Sequence, residues 1–272
     1  MTAITSPLGR LRWTFTDGLT LVGRELGRLR QEPGQIVAIL FFPVFMVVLF
    51  GYVFGSAIKV PGGGDYREYL MPGLFAMVTF TAVQGVMGRM AADASRGVMD
   101  RFRSMPAARL AVPFGQTGAD LLGGLLVVAI MAAAGLLVGW EPHRGVAHTV
   151  EAFLLMVLLR YALSWAGVYI GLVAKDERLV DQLVPLLLPF TMVSNAFVPT
   201  GGMPGWLRFL ADWNPVSAIT AASRKLFGNP EVTSGHGAWP LAHPVAAVLL
   251  WSAALLMVFV PLSVRTYMRW GR

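Results

Sequence analysis

Few side chains in this sequence could do chemistry, and the two best placed are a basic and an acidic residue within apolar stretches. Arg160 lies near the middle of the apolar stretch 150–174, and Asp120 lies just inside the stretch 118–140. Ionisable residues in such segments are rare and are usually paired or functional. Arg160 could therefore contact a substrate, pair with a polar group across a helix bundle, or snorkel to an interface. A single arginine without a series of buried carboxylates is a poor proton relay, so a structural pair or snorkelling is favoured.

The usual catalytic and metal-binding patterns are missing from the sequence. No lysine follows a glycine, so the Gly-Lys-Ser/Thr loop that cradles phosphates is absent. There is no His-Glu-x-x-His motif, no Gly-x-Ser-x-Gly elbow and no cysteine. The four histidines lie in predicted outer loops or at the start of the last apolar stretch: His143, His148, His236 and His243. We therefore expect neither an enzyme nor a chain that binds a metal or cofactor by itself.

The elements that must position these residues are long apolar helices. Apolar residues make up 56% of the chain and charged residues 14%, with a mean hydropathy of +0.62. Each apolar stretch has about the 20 residues that a helix needs to cross a bilayer, and a lipid-exposed backbone must satisfy its own hydrogen bonds. The sequence thus predicts an all-α membrane protein with six transmembrane helices, at 35–57, 70–89, 118–140, 150–174, 179–199 and 242–264.

The distribution of basic residues predicts the orientation. Most of the 22 Lys and Arg residues fall on one side if both termini are cytoplasmic. The net charge of +7 then reflects topology and attraction to anionic lipid. Because the arginines are scattered between spans, a nucleic-acid-binding patch is not expected.

The chain divides into a cytoplasmic segment 1–34, a six-span transmembrane domain 35–264 and a cytoplasmic tail 265–272. Apolar residues recur every three or four positions from Leu8 to Leu29, with arginines off this stripe. Such a pattern predicts an amphipathic helix along the inner membrane surface; the alternative is a helix that packs only on a partner protein.

The inner connection 90–117 is longer than a simple turn. It predicts a short helix over 93–105 that stops at Pro106 and exposes Phe102 between arginines. A helix this short is marginal alone. Two interpretations stay open, a solvated inner loop or a docking knob for a soluble partner with Phe102 as its anchor.

The outer connection 200–241 predicts two short helices. One covers 205–213; the other starts after the N-cap Asn214, with Pro215 first, and stops at Gly228. About 14 apolar residues cannot span, so the pair is expected to re-enter the outer leaflet or cap the bundle. Arg224, near the end of the second helix, favours the helix dipole and can bond loop carbonyls, or it snorkels to the interface. Thr200 is expected to be accessible from outside and Ser217 to be protected.

The fifth stretch carries Pro185 and Pro189, which predict a kink. Asn195 in the same stretch can hydrogen-bond across helices or simply pack there. Asn195 and Arg160 are the candidates for the substrate path.

Three segments resemble the permeases of type-2 ABC exporters, and most of all the daunorubicin/doxorubicin-resistance family. The first is 97–106, with Gly97, an Arg-Phe-Arg step and Pro106; the second is 69–73, Tyr-Leu-Met-Pro-Gly. The third and most specific runs from 195 to 224 and carries the residues Asn195, Phe197, Pro199, Pro204, Trp206, Asn214, Pro215 and Arg224. The resemblance covers nearly the whole chain.

The resemblance implies a membrane subunit that couples to a separate ATPase through Gly97, Arg101, Phe102, Arg103 and Pro106. It also implies an extracellular gate or re-entrant region with Pro199, Pro204, Asn214, Pro215 and Arg224. The expected partners are two copies of an ABC ATP-binding subunit, a second permease copy or paralogue, and membrane lipid, with ATP and Mg bound on the ATPase. An ion-coupled or passive transporter and a non-transporting membrane scaffold are the alternatives.

Overall fold

The computed structural model describes residues 33–54, 65–96, 111–230 and 238–269, and every regular element in these ranges is helical. The expected all-α architecture is thus confirmed for this part of the chain. The helices are α1 (Pro33–Val48), continued by a π-helical turn (Leu49–Phe54), α2 (Tyr66–Ser95), α3 (Ala111–Val138), α4 (Val146–Ala174), α5 (Glu177–Met192), a 3-10 turn (Thr200–Gly202), α6 (Gly205–Asp212), α7 (Pro215–Phe227), α8 (Trp239–Ala242) and α9 (Pro244–Arg269).

Among the described residues, four helices are long and apolar enough to cross a membrane: α2, α3, α4 and α9. The chain is therefore a multi-pass membrane protein. The first and fifth predicted spans are shorter as α-helices, since α1 and α5 each have 16 residues. A helix of that length extends about 24 Å, less than the roughly 30 Å of hydrocarbon. The six-residue π-helical turn lengthens α1 without a break, whereas no helix directly continues α5. Helix α5 ends before Val193, and the chain then turns through 193–199 instead of continuing as a span.

Helix α2 lies at the centre of the bundle and packs closely on α4. A Cβ atom added at Gly167 would lie 2.7 Å from the Val83 carbonyl oxygen, and one at Gly171 would lie 2.6 Å from that of Met87. Only glycine permits this backbone approach. The two glycines are four residues apart on one face of α4, a spacing of small residues that is typical of closely packed membrane helices.

Aromatic side chains form the core at the end of the bundle where α7 joins it. The Phe75 ring lies edge-on to Trp140 and Phe153, with centroids 5.3 and 5.6 Å away. Phe227, the last residue of α7, packs edge-on to Trp140 at 5.1 Å. Edge-to-face contacts of this kind add to the effect of apolar burial, so they fix the end of α7 against α2 and α4.

Helix α7 has the predicted bounds. Asn214 accepts a hydrogen bond from the Val216 N–H at 2.8 Å, which confirms it as the N-cap, and Gly228 ends the helix with a left-handed φ of 74°. The Asn214 amide also donates to the carbonyl oxygens of Phe190 and Val193, both at 2.7 Å. One side chain thus caps α7 and binds the last turn of α5.

Asn214→Ala is expected to lower stability by about 2 kcal/mol, because it removes a helix cap and leaves two carbonyl oxygens without their donor. Asn214→Ser separates the two contributions, since serine keeps the capping oxygen and loses the amide donors. Thermal unfolding of the purified variants in detergent should therefore rank wild type, Ser and Ala in decreasing stability. Equal unfolding temperatures for Ala and wild type would contradict this role of Asn214.

The inner connection starts later than predicted. Asp93, expected to open a separate short helix, belongs to the last turns of α2, which continues without a break to Ser95. The reason is a tertiary contact: the Asp93 carboxylate is buried and accepts a hydrogen bond from Gln116 Nε2 of α3 at 3.1 Å. Residues 97–110, with the rest of the predicted knob, and the predicted helix in 1–32 lie outside the described residues.

Candidate functional sites: a charged seam and an arginine anchor

Arg160 is part of a buried ion pair. Its Nη2 lies 3.0 Å from Asp120 Oδ2, and its Nη1 and Nε donate to the carbonyl oxygens of Val78 and Asp120 at 2.8 and 3.3 Å. The side chain is 9% exposed. The structural pair expected across the bundle is therefore present, and snorkelling is ruled out. Each guanidinium nitrogen already has a protein partner, which argues against Arg160 as a substrate ligand.

Asp120 has a second arginine partner that sequence reasoning missed. Arg89 Nη2 donates to Asp120 Oδ1 at 3.1 Å, and Arg89 Nε donates to Gln116 Oε1 at 3.1 Å. Together with the Gln116–Asp93 bond, these contacts form a continuous row of polar side chains, here called the charged seam: Asp93, Gln116, Arg89, Asp120 and Arg160.

A spacing signal for the seam was present in the sequence. Arg89 and Asp93 are four residues apart on α2, as are Gln116 and Asp120 on α3. Residues at i and i+4 share one helix face. Each pair therefore marks a polar stripe on an otherwise apolar helix. The sequence alone does not show that these two stripes face each other, because that depends on how the helices pack.

Arg224 forms the centre of a second cluster, here called the arginine anchor, which consists of Arg224, Tyr69, Asn195 and Ala196. The arginine is 3% exposed. It donates to the backbone oxygens of Tyr69, Asn195 and Ala196 at 3.1, 3.0 and 3.0 Å. Its Cζ also lies 3.8 Å from the centroid of the Tyr69 ring, within cation–π range. The expected bonds to loop carbonyls are confirmed, and snorkelling to the outer interface is wrong.

The anchor holds the turn after α5 against α2 and α7. The Asn195 N–H donates to Ser217 Oγ of α7 at 2.9 Å, and a Cβ atom at Gly73 of α2 would lie 2.4 Å from the Ala196 oxygen. The side-chain oxygen of Asn195 is buried without a hydrogen bond. Asn195 thus packs beside Arg224, whereas Arg160 belongs to the charged seam, so the structure assigns the two candidate substrate-path residues to different clusters.

Pro199 and Pro204 bracket the turn that leads into α6. Pro199 precedes the 3-10 turn and Pro204 precedes α6. Arg208 Nε donates to the Thr200 oxygen at 3.3 Å, and Thr200 Oγ1 donates to Asp212 Oδ1 at 2.7 Å. Thr200 is therefore buried, at 2% exposure, and the expectation that it is accessible from outside is wrong. Ser217 is fully buried, as expected.

The opposite face of α6 is apolar and exposed. Trp206 and Phe209 are 68% and 62% exposed, and Leu210 and Trp213 are also exposed. Aromatic side chains on a short amphipathic helix suit the interface between lipid and water. The re-entrant arrangement itself remains a prediction.

A loop contact that the sequence did not reveal holds the C-terminal end of α7. Trp140 Nε1 donates to Asn229 Oδ1 at 2.8 Å, and Asn229 Nδ2 donates to the Glu141 oxygen at 3.0 Å. His143 Nε2 lies 2.8 Å from Glu68 Oε1 at the start of α2. The α3–α4 loop thus joins α2 to the end of α7.

The residues expected to couple to an ATPase, Gly97, Arg101, Phe102, Arg103 and Pro106, lie outside the described residues. Their two flanks are described. Arg96 Nη2 lies 3.3 Å from Glu177 Oε1, an exposed pair between the end of α2 and the start of α5, and α3 begins at Ala111. In the described ranges, no group of three or more His, Cys, Asp or Glu side chains is placed to hold a metal ion.

Long apolar helices around a buried ion pair, with short helices bound at one end, define a helical integral membrane protein. The model of the ABC-2 type transporter family matches residues 17–227, and the chain belongs to that family.

Its curated relatives include permeases named for drug resistance. The chain is 31% identical to the daunorubicin resistance ABC transporter permease protein DrrB1 of Streptomyces coeruleorubidus, over 92% of this chain and 85% of that protein. It is 26% identical to the doxorubicin resistance ABC transporter permease protein DrrB of Mycobacterium tuberculosis, over 83% and 80% of the two chains. It is also 26% identical to the inner membrane transport permease YadH of Escherichia coli, over 71% and 73%.

Proposed function

We propose that this transport permease is the transmembrane subunit of an ATP-driven exporter, with ATP hydrolysed on a separate subunit. The observation that carries the proposal is the family match over residues 17–227 in a chain without a phosphate-binding Gly-Lys-Ser/Thr loop. An ATP-driven chain without this loop must receive its free energy from another subunit, and the related proteins are named as permeases of ABC transporters.

The assembly that fits this role has two ATP-binding subunits on the cytoplasmic side and a second permease copy or paralogue in the membrane. ATP and Mg bind on the ATPase subunits. The chain lies in the cytoplasmic membrane with both termini inside. Two further spans complete a six-span domain: α1 with its π-helical turn, and α5 with the turn 193–199 that follows it. The basic residues outside the helices support this orientation.

The substrate class is a hydrophobic or amphiphilic molecule: a drug, a lipid, a glycolipid or another secondary metabolite. It moves from the cytoplasm or the inner leaflet to the outside. Support comes from the relatives named for daunorubicin and doxorubicin resistance and from the apolar surfaces of the bundle. Movement of the segment 97–106 transmits ATPase closure to α2 and α3, and the short helices α6 and α7 close the outer end.

Phe102→Ala is expected to weaken ATPase binding by about 2 kcal/mol, or roughly 30-fold in Kd, as for a buried aromatic anchor. Arg101→Glu combined with Arg103→Glu should weaken it through charge reversal. Co-purification and titration of the ATPase against permease in nanodiscs measure both. Arg144→Glu, an arginine between α3 and α4 on the opposite end of the bundle, is the control. Unchanged binding in both test variants would place the docking site elsewhere.

The topology is tested with single cysteines, because the native chain has none. Gly202 is exposed and has open space around its Cα, so Gly202→Cys should react from outside with an impermeant thiol reagent. Ser217→Cys should be protected because Ser217 is buried. Labelling of Gly202→Cys only from the cytoplasmic side would reverse the proposed orientation.

A further inference from the structure

The charged seam joins the two helices that flank the segment 97–110. Arg89 and Asp93 lie in the last two turns of α2, before that segment, whereas Gln116 and Asp120 lie in the first three turns of α3, after it. Any force on the segment therefore reaches α2 and α3 at the end where the seam holds them together.

The two arginines bind the same carboxylate in different surroundings. The Arg160 side chain is 9% exposed and is also bound to backbone oxygens of α2 and α3. The Arg89 side chain is 35% exposed and is bound only through side chains among its described contacts. Separating Arg160 from Asp120 would leave two charges in an apolar environment, but Arg89 can exchange Asp120 for water.

Gly85 packs closely against the Arg89–Asp120 bond, while the Arg89 side chain stays partly exposed to solvent. A Cβ atom at Gly85, one turn before Arg89, would lie 3.3 Å from Arg89 Nη1 and 3.5 Å from Asp120 Oδ1. A side chain at this position would crowd the guanidinium, so glycine lets Arg89 lie close against α2 beside Asp120. Long arginine side chains of this kind reach toward water at helix ends.

We propose that Arg89 is a positioning residue that ties α2 to α3 in the conformation described. Its bond to Asp120 opens when the segment 97–110 is driven, while the Arg160–Asp120 pair stays intact and keeps the middle of the bundle together. The proposal rests on the proposed ATP-driven function. It predicts that, without the Arg89 bond, the nucleotide-free permease shifts toward the conformation that trapped ATP produces in wild type.

The test measures the distance between spin labels on the two helix ends. Ser95 on α2 and Phe114 on α3 are both exposed, so Ser95→Cys and Phe114→Cys carry the labels. The labelled permease is assembled with its ATPase in nanodiscs and measured without nucleotide and with trapped ATP. In wild type the distance distribution should shift on trapping.

Arg89→Gln should move the nucleotide-free distribution toward the trapped position, with a population change of about tenfold, as expected for a charge-assisted bond. Arg89→Lys keeps a charge within reach of Asp120 and should restore most of the wild-type distribution. Arg96→Gln removes the exposed pair with Glu177 on the same helix and should change nothing. Gln116→Ala removes the acceptor of Arg89 Nε and the donor to Asp93 but leaves the Arg89–Asp120 bond, so it should give a smaller shift in the same direction.

A nucleotide-free distribution in Arg89→Gln that equals that of wild type overturns the proposal. So does an equal shift in the Gln and Lys variants, which would show a packing effect without a role for the charge. If Arg89→Gln does not assemble, Gln116→Ala decides in the same way. Failure of the proposed function can be told apart from failure of this proposal, because it appears already in wild type. The wild-type permease would then not bind the ATPase, or its distance distribution would not shift when ATP is trapped.

Discussion

Arg224→Ala is expected to reduce export on the order of tenfold while expression and ATPase binding remain. Hydrogen bonds to charged donors contribute about 1.5–3 kcal/mol each, so loss of the three from Arg224 should destabilise this end of the bundle by about 4.5 kcal/mol or more. The backbone oxygens of Tyr69, Asn195 and Ala196 would each lose a charged donor. Local opening of the turn after α5 is the expected consequence. It is measured as faster thiol labelling of Ser217→Cys, together with the transport rate.

Two variants control for charge and for bulk. Lys225→Ala removes a cation from the adjacent, exposed position of the same helix and should leave both labelling and export unchanged. Arg224→Lys keeps the charge but cannot reach three carbonyl oxygens with a planar fork, so it should fall between wild type and Ala. Normal export and protected Ser217→Cys in Arg224→Ala would show that the arginine anchor does not hold this end closed.

Gly124→Ala is expected to have the second large effect. Its Cβ would lie 1.9 Å from Arg160 Nε and 2.4 Å from Arg160 Cζ, so the guanidinium must leave its place. The displaced arginine would separate from Asp120, and breaking a buried pair costs about 3 kcal/mol or more. Lower yield of folded protein and a lower unfolding temperature should result.

Gly123→Ala is a matched control in the same helix turn, because no atom lies within 4 Å of the Cβ that it would add. It removes the same flexible residue from α3 and should be neutral or slightly stabilising, since alanine is the better helix former. Equal unfolding temperatures for the two variants would mean that Arg160 does not depend on the space at Gly124.

The parts that could be predicted from the sequence are those with local causes. Asn214, Pro215 and Gly228 specify the ends of α7 through cap chemistry, and the structure has the helix at those residues. Apolar length likewise indicates α2, α3, α4 and α9 as membrane-spanning helices. The fifth stretch is not one long helix, and local sequence reasoning missed this. Asn214 binds the end of α5, and Arg224 binds the turn that follows it; both residues are distant in the sequence.

The tertiary pairings were largely beyond local reasoning. Arg160 was expected to find a polar partner, but its sharing of Asp120 with Arg89 depends on how α2, α3 and α4 meet. Asp93 was misassigned for the same reason, since Gln116 holds it in α2. The bond from Trp140 to Asn229 joins loops that are far apart in sequence and has no local signal.

ATP-dependent transport in reconstituted vesicles tests the central claim most directly. The chain is inserted into proteoliposomes with and without its ATP-binding subunit, and uptake of a fluorescent amphiphile such as an anthracycline is followed after addition of ATP and Mg. The account predicts uptake only when the ATPase subunit is present and its nucleotide site is intact, and no ATP hydrolysis by this chain alone. Sustained ATP-dependent transport by the chain alone, or transport driven by an ion gradient without the ATPase, would contradict it.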